Sequence, residues 1–319
     1  MRKVAVVTTG FFDGVHLGHR HVLETVVSLA RERGEEAVVV TFWPHPRTVL
    51  QQDAREFRLL TGLEEKKAML LAAGIDRVEV IPFTREFAAM KADEYLQLLA
   101  DKYGASLVVM GYDNRIGSDR KTAGEIKDSQ AAAGTKVPIL VSGQTSVGLA
   151  AEENYFSQGF AKNQFPSAIA TPTRTEVIVS STRIRHALEE GRIEDANGML
   201  GYRYGLYGVV VAGNKMGRTM GFPTANMQLY EPLKLVPLNG VYSVEVEVLG
   251  ETYKGMCNIG TRPTVGGTTR TIETHILDFD EDIYGLPLKL RFVRRIRDER
   301  KFPSLEALRD QLLLDREGV

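Results

Sequence analysis

The stretch that most constrains the fold is Gly10-Phe-Phe-Asp-Gly-Val-His-Leu-Gly-His19. It follows the β-branched run Val4 to Val7, which predicts a buried parallel strand. It precedes His21 to Arg33, where Val22, Leu23, Val26, Val27, Leu29 and Ala30 recur at helical spacing. The chain therefore opens as strand, glycine-punctuated turn, helix. At such a helix start the unpaired backbone N–H groups and the dipole favour an anion, and Gly10, Gly14 and Gly18 let a ligand come close to the backbone. His16 and His19 are three residues apart and can face one bound group, where imidazoles can hold a phosphate oxygen as negative charge moves. A metal pair and ordinary structural histidines are the alternatives, although the HExxH spacing of zinc proteases is absent.

At 319 residues the chain is long for one core, so two domains are expected. Forty basic against 41 acidic residues leave a formal charge of -1, which gives no electrostatic reason to expect a nucleic-acid partner. The single cysteine, Cys257, cannot form an internal disulfide and fits a reducing cytoplasm. The first apolar run is too short for the core of a signal peptide, and no stretch is long enough to span a membrane. Oligomeric state is not legible in the sequence.

After the first helix, Gly34 is a stop signal and Ala37 to Phe42 reads as a second strand, which implies a right-handed parallel crossover. In Thr41-Phe-Trp-Pro-His-Pro-Arg47 two prolines predict an extended loop past the strand's carboxyl end, where open α/β sheets bind ligands. Leu63 to Ala73 reads as a helix with Lys66 and Lys67 on its polar side, Val78 to Pro82 as a strand, Ala92 to Tyr103 as a helix and Leu107 to Met110 as a strand. That alternation predicts a doubly wound sheet. The last of these strands leads into Gly111-Tyr-Asp-Asn-Arg-Ile-Gly117. From Gly134 to Thr175 the pattern dissolves into small and polar residues, either a flap over the site or an inert loop. Order resumes at Val177-Ile-Val-Ser-Ser-Thr-Arg-Ile-Arg185, where Ser180 and Ser181 can cap a helix carrying Arg183 and Arg185 toward the far end of a triphosphate.

Glu189 to Leu200 leads out of this region, and short strands follow at Tyr207 to Val211, Tyr242 to Leu249, Thr252 to Ile259, Thr271 to Leu277 and Leu288 to Val293. Their close spacing predicts a small antiparallel barrel, closed at one end by a helix from Ser304 to about Arg316 with Leu305, Leu308, Leu312 and Leu313 on one side. Between the first two strands lies the glycine-spaced segment Gly213 to Asn226, which lacks the GK[ST] of a P-loop. Its glycines can still bring N–H groups around a phosphate, while Thr224 and Asn226 offer the hard oxygens that Mg²⁺ prefers. Strand alternation puts Glu273 and His275 opposite Ile272 and Ile276, and by pattern alone Glu273 is a solvated carboxylate on an outer face.

The first motif resembles the HxGH-bearing motif of bacterial bifunctional riboflavin kinase/FAD synthetases, a branch of the nucleotidylyltransferases. Phe42, Pro44, His45 and Pro46 match that family's FxPHP, Ser180 to Arg185 its SSTxIR, and Gly221-Phe-Pro-Thr-Ala-Asn226 its flavokinase motif. Thr271 to Leu277 is similar to the segment bearing its catalytic base, and Asn239 to Tyr242, Asn258 to Thr264 and Phe292 to Phe302 match further.

The resemblance implies an α/β protein: an N-terminal doubly wound, Rossmann-like nucleotidylyltransferase domain over residues 1–186 and a C-terminal antiparallel β-barrel flavokinase domain over 187–319. It implies ATP-dependent phosphorylation of riboflavin to FMN, then adenylylation of FMN to FAD with release of pyrophosphate. His16 and His19 would stabilise the adenylyl-transfer transition state, with Gly10, Phe11, Asp13, Gly18, Ser181 and Arg183 holding ATP. Gly213, Gly217, Gly221, Pro223, Thr224 and Asn226 would hold the kinase's ATP, with Thr224 and Asn226 binding Mg²⁺. Glu273 would be the base and touch the flavin, and Asp113 and Asn114 would bind flavin in the other domain. The family has an aromatic residue or histidine where Asn114 stands and a phenylalanine where Ile116 stands, which predicts weakened flavin contact there. A kinase with a weak or lost adenylyltransferase half, and a non-catalytic flavin-binding regulator, are the alternative readings.

Overall fold

The computed structural model describes residues 3–50, 57–112, 114–133, 137–143, 146–148, 176–213, 221–264 and 267–319. The chain divides into two compact units: Met1–Val147 with Glu176–Ser181, and Gly148–Thr175 with Thr182–Val319.

The first unit is a parallel sheet. Its strands β1 (Ala5–Thr9), β2 (Glu36–Trp43), β3 (Arg77–Pro82), β4 (Ala105–Met110) and β5 (Ile139–Val141) lie in the order β3-β2-β1-β4-β5. Period-two alternation splits each central strand between two cores. Val7, Val38, Val40 and Val108 pack on one face with Ala92, Leu96 and Leu99. Val6, Val39, Leu107 and Val109 pack on the other with Leu23, Val26 and Ala30 of helix α1 (Leu17–Arg33). The strand order reverses between β1 and β4, and the loops leaving their carboxyl ends are those beginning at Gly10 and Gly111. Ligands bind at such a crevice in open α/β sheets.

The extended loop expected through Arg47 is shorter than predicted. Pro46 opens a short helix, α2 (Pro46–Leu50), because a proline's fixed φ and missing N–H suit a first helical position. Helices α3 (Leu63–Ala72), α4 (Arg85–Ala88), α5 (Ala92–Tyr103) and α6 (Ala123–Ala133) complete the described layers, α4 and α6 being absent from the sequence reading. Most of the segment from Gly134 to Thr175 lies outside the described residues; Ser146–Gly148 (β6) pairs in a small sheet with Glu176–Ile178 (β7).

The second unit is a closed barrel. Its strands are β8 (Gly205–Val211), β9 (Ala225–Leu229), β10 (Gly240–Val248), β11 (Glu251–Thr264), β12 (Gly267–Ile276) and β13 (Pro287–Arg297), in the order β10-β11-β12-β9-β8-β13. Tyr242, Val244, Ile259, Ile272, Leu290 and Phe292 are buried, and the Tyr242 and Phe292 rings meet edge-on at 5.2 Å. Helices α7 (Ser181–Glu189) and α8 (Ile193–Leu200) lead in. Buried Asn197 fixes α8, accepting from Tyr204 N at 2.7 Å and donating to the Phe292 carbonyl at 3.0 Å. From Thr182 onward α7 belongs with the barrel unit, and the Leu188 carbonyl accepts from Leu238 N at 2.9 Å.

Two expectations change here. Strand β9, read as loop, begins one residue after Thr224. The last helix, α9 (Leu305–Glu317), keeps half of the predicted leucine stripe: Leu308 and Leu312 are half-buried, while Leu305 and Leu313 are exposed. It docks also through buried Asp315, whose carboxylate accepts from Arg297 Nε and Nη2 at 2.7–3.0 Å and from Gln311 at 2.7 Å.

Candidate active sites

In the sheet unit, the turn after β1 is bent tightly. Phe12 and Val15 hold φ of 49° and 36°, conformations that cost of order 1–3 kcal/mol each for non-glycine residues. That bend ends at His16, the N-cap of α1, whose Nδ1 accepts from His19 N at 3.2 Å. Accepting at Nδ1 places the neutral ring's proton on Nε2. The His16 and His19 rings stack at 3.6 Å between centroids, 14° from parallel. Gly18 makes room, because a Cβ there would lie 3.2 Å from the His16 ring. Burial above all, with His16 and the Lys66 cation adding to it, holds His19 well below the ordinary imidazole range, so it is neutral at pH 7. Its Nδ1 is buried with no hydrogen-bond partner among the described residues.

Asp13 is buried. Its carboxylate accepts from Leu60 N, Thr61 N and Thr61 Oγ1 at 2.9–3.2 Å, while Gly14 N donates to Thr61 Oγ1 at 3.0 Å. Asp13 therefore clamps the turn to the segment ahead of α3. Lys66, expected on the polar side of α3, is buried and donates to the Phe11 carbonyl at 3.0 Å. Burial draws its ammonium down to about 8, against the opposing pull of Asp13. The helical pattern misplaced it because α3 packs this flank beneath the motif turn. Gly10 N donates to the Val40 carbonyl at 3.2 Å, and the Phe11 ring packs among Phe42, His45 and Phe83. His45 lies between Phe11 and Phe57, at 4.7 and 4.3 Å.

The second motif returns to the first: Ser181 Oγ donates to the Asp13 carbonyl at 2.9 Å. Arg183 stands exposed on the first turn of α7. Asn114 Nδ2 donates to the Thr9 carbonyl at 3.4 Å, which brings it to the end of β1. Ile116 is a core residue, 6% exposed among Ala92, Tyr95, Met110 and Ile126, so its difference from phenylalanine is a matter of packing in that core. Asp113 lies outside the described residues.

In the barrel unit, strand register assembles the site. Asn226 on β9 pairs with Val211 on β8 and with Glu273 on β12, and Glu273 pairs in turn with Asn258 on β11. Directly opposed residues point to the same face, so Asn226, Glu273 and Asn258 form a polar row on the wall. Thr224 lies two residues before Asn226, immediately ahead of β9. Gly213 is required by close approach, since a Cβ there would lie 2.0 Å from the Asn226 amide nitrogen. Gly221 turns the chain at φ 80°, and the Pro223 carbonyl lies 2.8 Å from His275 Nδ1. Gly217 lies outside the described residues. Asn258 and His275 were not singled out by the sequence reading, although both stand in matching motifs and the alternation already placed His275 beside Glu273.

A parallel sheet with stacked histidines on an anion-binding turn, and a barrel whose wall aligns a carboxylate with hard oxygen donors, define a two-site enzyme of phosphate chemistry. Residues 1–146 match the family model for FAD synthetase and residues 200–319 that for riboflavin kinase. The chain is similar to the bifunctional riboflavin kinase/FMN adenylyltransferases of Bacillus subtilis (34% identity, 98% of this chain and 90% of the relative), Listeria monocytogenes (36%, 98% and 91%) and Escherichia coli (35%, 97% and 90%). A crystal structure described as a macrolide-efflux protein from Streptococcus pneumoniae superposes with a TM-score of 0.83 at 30% identity, over 99% of this chain and 94% of that one. Among the described residues no helix is long and apolar enough to cross a membrane. The chain belongs to the bifunctional riboflavin kinase/FMN adenylyltransferase family.

Proposed function

We propose that the family's two ATP-dependent reactions, riboflavin to FMN and FMN to FAD, run at two sites built from separate cores, within residues 187–319 and 1–186 respectively. The observation that carries this reading is that each signature closes on itself: Ser181 bonds back to the His16 turn, and strand register sets Asn226 beside Glu273.

In the barrel, Glu273 accepts the proton of the ribityl hydroxyl as that oxygen attacks the γ-phosphorus of ATP, whose bond to the β-phosphate oxygen breaks so that ADP leaves. Thr224 and Asn226 would hold Mg²⁺ through their hard side-chain oxygens, Asn226 being seated against Gly213. An ion held by Thr224 and Asn226 would offset the negative charge of the ATP phosphates. In the sheet unit, the FMN phosphate attacks the α-phosphorus of ATP and pyrophosphate leaves. His16 Nε2–H and the neutral His19 ring donate to the phosphate oxygens as charge develops, with the N-terminus of α1 behind them. Asp13 and Lys66 hold that turn in place. Asn114 stands at the carboxyl end of β1 for the flavin side.

The near-neutral charge supports small-molecule partners in place of nucleic acid. The lone Cys257 is buried, its thiol pushed up to about 12, which supports a reducing cytoplasm. The test is incubation with riboflavin, ATP and Mg²⁺, with FMN and FAD separated by chromatography. Both products are expected. FMN alone would leave only the kinase, and neither product would leave a flavin-binding protein.

A further inference from the structure

The ladder between β9 and β12 is two pairs long, Glu273 with Asn226 and Thr274 with Ala225. One step further along this register, His275 stands level with Thr224, where pairing stops. Pro223 has no N–H to extend the ladder, which leaves its carbonyl as the group that must find a partner. That partner is a side chain: His275 Nδ1 lies 2.8 Å from the Pro223 oxygen, and the imidazole meets the edge of the Phe222 ring at 5.1 Å and 66°. A carbonyl only accepts, so Nδ1 carries the proton.

We propose that His275 is a positioning residue of the kinase site, fastening Phe222-Pro223-Thr224 to β12 so that Thr224 and Asn226 are held beside Glu273. The inference rests on the assignment of Thr224 and Asn226 to the ATP-binding side of that site. Without the imidazole, β9 is held to β12 by two residue pairs, and the segment bearing Thr224 begins where the ladder ends. Its role is geometric and makes no use of protonation changes.

The test compares His275→Leu, which keeps bulk and removes the donor, with His275→Asn, whose amide N–H takes the place of Nδ1–H. In the full-length protein, His275→Leu is expected to raise the kinase KM for ATP about tenfold, the scale of one lost buried hydrogen bond. His275→Asn is expected to recover most of that. FAD formation from supplied FMN is expected to proceed at the parent rate in both, which also reports a folded chain. In the unaltered protein, ¹⁵N NMR of the imidazole is expected to show the Nδ1-protonated tautomer, a reading that needs neither turnover nor a variant. An Nε2-protonated ring, an unchanged KM in His275→Leu, or an asparagine as damaging as leucine would overturn the proposal. Thr224→Val separates the two levels. If it loses kinase activity while His275→Leu does not, only the positioning role falls; if it keeps full kinase activity, the ATP-site assignment falls and the positioning role with it.

Discussion

The two units of this chain reach comparable phosphate chemistry by opposite means. In the sheet unit the two histidines come from one bent turn, held by positive φ at Phe12 and Val15, clamped by buried Asp13 and propped by buried Lys66. In the barrel the residues come from distant parts of the sequence, and ordinary antiparallel register lines up Asn226, Glu273 and Asn258. A turn site depends on local strain and its supports, whereas a register site depends on strand pairing and on space between neighbouring side chains. Substitutions in one unit are therefore expected to leave the other's reaction intact.

The largest separation is expected from Glu273→Gln. The amide keeps the shape but cannot take the hydroxyl proton, so FMN formation should fall about 10²-fold or more while FAD formation from supplied FMN persists. Assaying the two half-reactions separately checks this, and a normal kinase rate would remove Glu273 from the mechanism. Gly213→Ala tests the crowding on the barrel wall. Its Cβ would need the space now held by the Asn226 amide, 2.0 Å away. Kinase activity should fall about tenfold, the equivalent of roughly 1.4 kcal/mol, with adenylyl transfer unchanged.

Ile116→Phe addresses the departure from the family pattern. Because Ile116 is packed in the sheet core, the larger ring should overpack it and cost about 1–3 kcal/mol, seen as an earlier urea midpoint. A gain in FMN affinity without loss of stability would instead return this position to the flavin pocket.

Lys66 is tested through pH, with no change of activity invoked. Its folded value of about 8 lies below the ordinary 10.5, so between these pH values the unfolded chain binds the extra proton. Stability from this group should therefore rise with pH across that window, by up to about 1.4 kcal/mol per pH unit. Urea unfolding at pH 7, 8, 9 and 10 should show that slope, and Lys66→Met should flatten it.

The parallel sheet was legible because its central strands are apolar on both faces and its helices carry glycine stops, as at Gly34. The histidine turn was legible because its glycines and histidines are local in sequence. Lys66 was not, since helical periodicity assigns a lysine to solvent and only the tertiary fold shows the turn above it. Strand β9 was hidden because Ala-Asn-Met-Gln-Leu follows a glycine-proline segment and lacks β-branched residues. With it was hidden the register that joins Asn226 to Glu273. Alternation correctly paired Glu273 with His275, but what covers that face depends on Pro223, some fifty residues earlier. The last helix shows a further limit: a leucine count predicted an apolar face, while two of its four leucines are exposed and an ion pair between Arg297 and buried Asp315 joins it to β13.

The most direct test of two separate sites is the double variant His16→Ala, His19→Ala, given riboflavin, ATP and Mg²⁺ and followed for both products. The separate-site account predicts FMN at the parent rate and no FAD. A folded double variant that loses FMN formation as well would contradict it.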